Sequence, residues 1–113
     1  MARDGIIGEF EYLVLAACER LGERAYGASI ANEIEAATGR RCSSGALYLT
    51  LDRLEAKGFV ATRMGGASAE RGGRAKRLVR ITGLGRDAGA RFYSAVTRAT
   101  EGIRWEEAKQ CTA

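Results

Sequence analysis

The chain has no histidine among its 113 residues and only three cysteines, Cys18, Cys42 and Cys111, none of them in a CxxC pair. A zinc site draws on closely arranged Cys, His or carboxylate ligands, so no metal is expected. An odd, widely spaced set of thiols is also a poor disulfide framework. Cys42 could in principle sense oxidation, yet a lone cysteine without an activating neighbour is ordinarily inert. Without histidine, and without a recognisable nucleophile–base pair, the sequence gives no support to an enzyme or to a cofactor. Asp52 and Glu55 form a carboxylate pair, but on a helix among charged neighbours with no nucleophile beside them. The longest apolar run, Leu13–Cys18, is too short to span a bilayer. Met1–Gly5 leads into no signal-peptide stretch. The expectation is a cytoplasmic protein with no membrane partner.

The charge that is present is unevenly placed. The net is +4. Residues 1–60 carry seven basic and nine acidic side chains, and residues 83–113 carry five against four. Residues 61–82 carry six basic ones, Arg63, Arg71, Arg74, Lys76, Arg77 and Arg80, against one acidic. Such a local concentration is the electrostatic footprint of a polyanion partner, although a solvated charge run has the same composition. At 46% hydrophobic and 28% charged, the sequence is that of a folded domain rather than a disordered chain. Its length fits one domain with a modest core that a second subunit could extend.

Glycine punctuates the first half. Gly22, Gly39 and Gly58 each follow an apolar-periodic stretch, where a helix C-terminal glycine belongs. Three helices are therefore predicted. The first, over about 8–21, gathers Phe10, Leu13, Val14, Ala17 and Leu21 on one face. The second, over about 26–38, has Ile30, Ile34 and Ala37 on one stripe. The third follows Ser43, whose hydroxyl suits an N-cap, and turns Leu47, Leu51 and Leu54 inward. After Gly58 the period shortens. Residues 59–63 and 77–82 have the composition of strands, and the glycine-rich, basic stretch from Met64 to Lys76 makes them a hairpin wing. Thr82 is placed to cap a last helix over about 84–107, whose start Gly83, Gly85 and Gly89 weaken. Along it Phe92, Val96, Ala99 and Ile103 form a seam suited to lengthwise helix packing, and nothing else in the chain is available to cover it.

Three helices followed by a hairpin is the element order of a winged helix-turn-helix. The fold class is mostly α with a small β-hairpin, α+β, plus a C-terminal dimerisation helix. In this arrangement the third helix enters the major groove of double-stranded DNA while the second lies across the backbone. The basic hairpin tip reaches phosphates or a neighbouring minor groove. Ser43, Ser44 and Gly45 open the third helix with small side chains, so its N–H groups and positive dipole end can approach a phosphate. Tyr48 and Asp52 follow Ser44 on one face. Thr50 and Arg53 are expected on the adjoining exposed face, with Arg53 at a guanine edge or a phosphate. Lys57 is a phosphate contact or a solvated charge. In the wing, Gly72 and Gly73 let the loop turn, and Arg71, Arg74, Lys76 and Arg77 can follow a groove. For Tyr48 and Tyr26 the competing reading is a packing tyrosine. For Arg77 and Arg80 it is a strand charge on solvent.

Three blocks resemble the PadR family of regulators. They are Ala25-Tyr26-Gly27, the run from Gly45-Ala46-Leu47-Tyr48 through Leu54-Glu55-Ala56-Lys57-Gly58, and Arg71-Gly72-Gly73-Arg74-Ala75-Lys76-Arg77 leading to Ile81-Thr82-Gly83-Leu84-Gly85. The sequence departs from the family pattern at Leu49, at Leu78-Val79 and at Thr82-Gly83. The resemblance implies a dimeric repressor whose C-terminal helix packs on the partner's first and last helices. Phe10, Leu13, Phe92, Val96, Ala99 and Ile103 are then the dimer interface. It implies that Tyr26, Ser44, Tyr48 and the wing cations lie at DNA. The short length is similar to a branch of the family in which some members sense small hydrophobic or aromatic compounds. On that footing Phe92, Val96 and Trp105 are the candidate effector residues, although Trp105 reads more simply as packing near the helix end.

The resulting expectation divides the chain into a DNA-binding part, residues 1–82, and a dimerisation helix with its tail, residues 83–113, within one compact domain. The function expected is a homodimeric repressor on a near-palindromic operator, released by a small hydrophobic effector. The alternative is a winged-helix protein–protein adaptor without a DNA target, since fold alone does not fix function.

Overall fold

The computed structural model describes residues 6–65 and 76–107. Helix α1 (Glu9–Leu21) starts where the Glu11 carboxylate accepts the Gly8 N–H at 2.8 Å. A 3₁₀ turn (Gly22–Arg24) leads to α2 (Gly27–Thr38), at whose start the Tyr26 N–H donates to Ser29 Oγ at 2.9 Å. Helix α3 (Ser44–Ala56) is capped by Ser43, whose hydroxyl accepts the Ala46 N–H at 3.1 Å. Strands β1 (Val60–Met64) and β2 (Arg77–Ile81) follow, and then α4 (Gly83–Ala99). Thr82 caps α4 through its hydroxyl, which accepts the Gly85 N–H at 3.0 Å. Both caps are those read from the sequence, because a cap is a local feature of three or four residues.

The strands pair antiparallel, from Val60 opposite Ile81 to Met64 opposite Arg77. The other edge of β2 is also occupied. The Val79 N–H donates to the Ala25 carbonyl at 3.0 Å, and Tyr26 bridges Leu78. The start of α2 is therefore tied to the wing by backbone.

The core lies where α1, α2, α3 and the hairpin meet. Val14, Leu15 and Cys18 of α1, Ile30 and Ile34 of α2, and Leu47, Leu51 and Leu54 of α3 are buried with Phe59, Val60, Val79 and Ile81. Each fully buried aliphatic side chain contributes about 1.5–3 kcal/mol relative to exposure. Burial without a charged partner pushes the Cys18 thiol up to about 12. Phe10, Leu13 and Leu21 are only half-buried on this core.

Two expectations change. Ala37 is exposed, because the last turn of α2 runs past the core that Ile30 and Ile34 reach. Helix α4 ends at Ala99 rather than near residue 107. The Thr100 hydroxyl turns back onto the Val96 carbonyl at 2.7 Å, and Gly102 takes a left-handed φ of 82°, a conformation that stops a helix. Ile103 thus leaves the helical seam. Trp105, beyond the helix, is 78% exposed. Phe92 remains on α4 and stacks on Tyr12 of α1 with ring centroids 4.5 Å apart, while Val96 and Ala99 are exposed.

Candidate nucleic-acid interface

The start of α3, the start of α2 and the base of the wing meet on one surface. Ser43, Ser44 and Gly45 are exposed, so the first turn of α3 presents its backbone to solvent. One turn on, Tyr48 is half-exposed, and its hydroxyl lies against Gly27 at the first turn of α2; a Cβ on Gly27 would overlap it. Glycine at 27 is what lets the two helix starts approach through Tyr48. Beside them, Lys76 Nζ sits 4.1 Å from the centre of the Tyr26 ring, a cation–π contact that holds the ammonium at the mouth of the wing. The Gly65 N–H donates to the Lys76 carbonyl at 2.6 Å, which extends the strand pairing by one more bond toward the loop.

Arg77, next along, faces α3. It donates to Asp52 Oδ1 at 3.0 Å and to Glu55 Oε1 at 3.1 Å, and its guanidinium carbon is 6.0 Å from the centre of the Tyr48 ring. Thr62 of β1 donates from its hydroxyl to the second Glu55 oxygen at 2.9 Å. Asp52 and Glu55, one turn apart on α3, were readable only as a carboxylate pair of no evident use. Their signal in the sequence was a basic strand following an acidic helix flank, but the partners are 25 and 22 residues apart.

The sequence-derived residues distribute as follows. Tyr26, Tyr48 and Lys76 come together on this surface. Ser43, Ser44 and Gly45 are exposed at the start of α3, before Tyr48, and Arg53 is exposed further along that helix. Lys57 is paired with Glu11 of α1 at 3.0 Å. Thr50 is a correction: it is 4% exposed, among the inward residues Leu47, Leu51 and Leu54. Its hydroxyl donates to the Ala46 carbonyl at 2.9 Å, which satisfies the polar atom inside the helix and leaves a methyl for the core. Arg71, Gly72, Gly73 and Arg74 lie outside the described residues.

Beside α4 run two grooves. One, about 550 Å³, lies between α4 and the chain before α1, lined by Ile6, Ile7, Ala88, Phe92 and Ala95 among others. The second, about 570 Å³, lies between α1 and α4 and includes Tyr12, Leu15, Gly89 and Tyr93. Phe92 lines the first, whereas Val96 and Trp105 line neither. The three candidate effector residues are therefore not brought together within one chain.

The sequence profile of the PadR-like family of transcriptional regulators matches residues 14–91. No curated protein matches the chain. Among solved structures it resembles a transcriptional regulator from Clostridium thermocellum, at 20% identity and a TM-score of 0.68, over 82% of this chain and 87% of that one. A PadR-like transcription factor from Bacteroides fragilis is similar at 19% identity and a TM-score of 0.70, over 90% of both chains. Bacillus subtilis PadR, solved in complex with operator DNA, is similar at 18% identity and a TM-score of 0.64, over 92% of this chain and 53% of that one. At these identities the likeness is one of fold. The matched profile runs from within α1 to the middle of α4, wing included, and the chain belongs to the PadR-like family of transcriptional regulators.

Proposed function

We propose that this protein is a homodimeric repressor that binds double-stranded DNA at a near-palindromic operator in the cytoplasm. The observation that carries this reading is the single surface on which the exposed first turn of α3, Tyr48, Tyr26 and Lys76 meet at the base of a basic wing. Helix α3 enters the major groove, and the wing, with Arg71 and Arg74 in the sequence between its strands, follows the phosphates. Residues 1–82 act as the DNA-binding part and residues 83–113 as the dimerising part. Dimerisation is supported by the apolar side chains left exposed about α4, namely Ile6, Tyr93 and Val96. The proposed interface also takes in Phe10, Leu13, Phe92 and Ala99. A small hydrophobic or aromatic effector would enter the α1–α4 region and release DNA by binding the competent and incompetent dimers unequally.

Titration of duplex DNA at several salt concentrations tests the reading. If each subunit neutralises about three phosphates, the slope of log K against log salt approaches about −5 for the dimer. Two recognition helices in successive major grooves require half-sites about 10 base pairs apart. Absent or salt-independent binding to a pool of genomic fragments refutes the proposal.

A further inference from the structure

One cation of the basic segment faces inward rather than toward solvent. Arg77 opens β2 immediately beyond the wing loop, and its side chain is 22% exposed. A single nitrogen, Nη2, donates to Asp52 Oδ1 and to Glu55 Oε1. That nitrogen carries two hydrogens, so one carboxylate can take each. The other Glu55 oxygen accepts from Thr62 of β1. Helix α3 is thus fastened to both strands of the wing by one guanidinium and one hydroxyl.

Both carboxylates stand on the helix that the proposed function places in the groove, and Asp52 is 65% exposed. Left bare, they would repel the phosphates on either side of that groove. We propose that Arg77 is a positioning residue for DNA binding and not a phosphate contact: it fixes the wing at one angle to α3 and offsets one of the two negative charges of Asp52 and Glu55. The inference rests on the DNA-binding reading. Once α3 lies in the groove, the angle at Arg77 decides which phosphates the hairpin can reach. Lys76, one residue earlier, points instead to the Tyr26 ring, so neighbouring cations carry different tasks.

The test uses the full chain and duplexes selected from a random pool. Affinity is measured across salt concentrations for the unaltered protein, Arg77→Gln, the double variant Asp52→Asn/Glu55→Gln, and the triple variant combining them. Arg77→Gln should weaken binding about tenfold while leaving the salt slope unchanged, and should cost less than about twofold in the double-variant background. A drop in slope of about 2 per dimer, with the same loss in both backgrounds, would show a phosphate contact and overturn the proposal. Circular dichroism confirms that each variant is folded. If the unaltered protein binds no duplex, the DNA reading fails on its own, and the brace is then judged by amide hydrogen exchange. Exchange in β1 and β2 should quicken in Arg77→Gln, and unchanged protection overturns the brace as well.

Discussion

Gly85 and Gly89 share helix α4 and differ by one turn, yet alanine should have opposite effects at the two. A Cβ on Gly85 would overlap the Phe59 carbonyl oxygen and stand 3.0 Å from its carbon and 2.9 Å from Ile81 Cγ1. The carbonyl is not free to retreat, because it accepts the Thr82 N–H at 3.0 Å, and Thr82 is the residue that caps α4. Overpacking of this kind costs about 1–3 kcal/mol, and a weakened hydrogen bond adds about 1 kcal/mol. The helix propensity gained by replacing glycine returns about 1 kcal/mol. The net is a loss of about 2 kcal/mol, or a fall in Tm of roughly 10 °C for a domain of this size. At Gly89 the nearest atom to a new Cβ is Tyr12 Cε1 at 4.0 Å, so only the propensity gain remains. Gly89→Ala should raise Tm by up to about 5 °C. Thermal unfolding by circular dichroism, at one fixed protein concentration because the proposed dimer would melt in a concentration-dependent way, gives both numbers. Equal tolerance at the two positions would refute the packing argument.

Gly27→Ala should push the Tyr48 hydroxyl aside at a stability cost below about 1 kcal/mol, since the end of a side chain moves more easily than backbone; its duplex affinity should fall as far as that of Tyr48→Ala. Gly45→Ala meets nothing within 4 Å and should fold normally. Its methyl would keep α3 from a phosphate, so unchanged affinity in a titration would place DNA elsewhere. Lys76→Ala should lower the salt slope by about 0.9 per subunit, against no change for Arg77→Gln. For Cys18, burial raises the folded-state thiol from 9.0 to about 12, so its stabilising effect is complete below pH 9 and is lost as pH rises toward 12. Chemical denaturation between pH 9 and 11 should show stability falling by about 1.4 kcal/mol per pH unit more in the unaltered protein than in Cys18→Ala.

What the sequence made legible was local. Ser43 and Thr82 as caps, the inward leucines of α3 and the glycine stops of the first three helices each depend on residues within one or two turns. The end of α4 was also local, but its signal was overridden by spacing. Ile103 continues the interval of Phe92, Val96 and Ala99, so the pattern runs on past Thr100 and Gly102, whose hydroxyl and left-handed φ close the helix first. Thr50 misled for a different reason. A threonine counts as polar in a pattern, but inside a helix its hydroxyl is satisfied by the carbonyl one turn back, and it then packs as an apolar residue.

The candidate site was hidden more deeply, because charge was counted before it was paired. Residues 61–82 hold five more basic than acidic side chains, and that sum counts Arg77 among the cations available to DNA. Arg77 is instead committed to Asp52 and Glu55, which the sum had placed in the acidic first part of the chain. Lys57 is likewise matched to Glu11. Such pairings move charge across the boundaries that a running count draws. They leave the wing with fewer free cations than its composition suggests and α3 with a less acidic flank. The polyanion footprint survives, but it is set by what remains after folding, and a wing cation should be counted toward DNA only when no carboxylate of α3 holds it first.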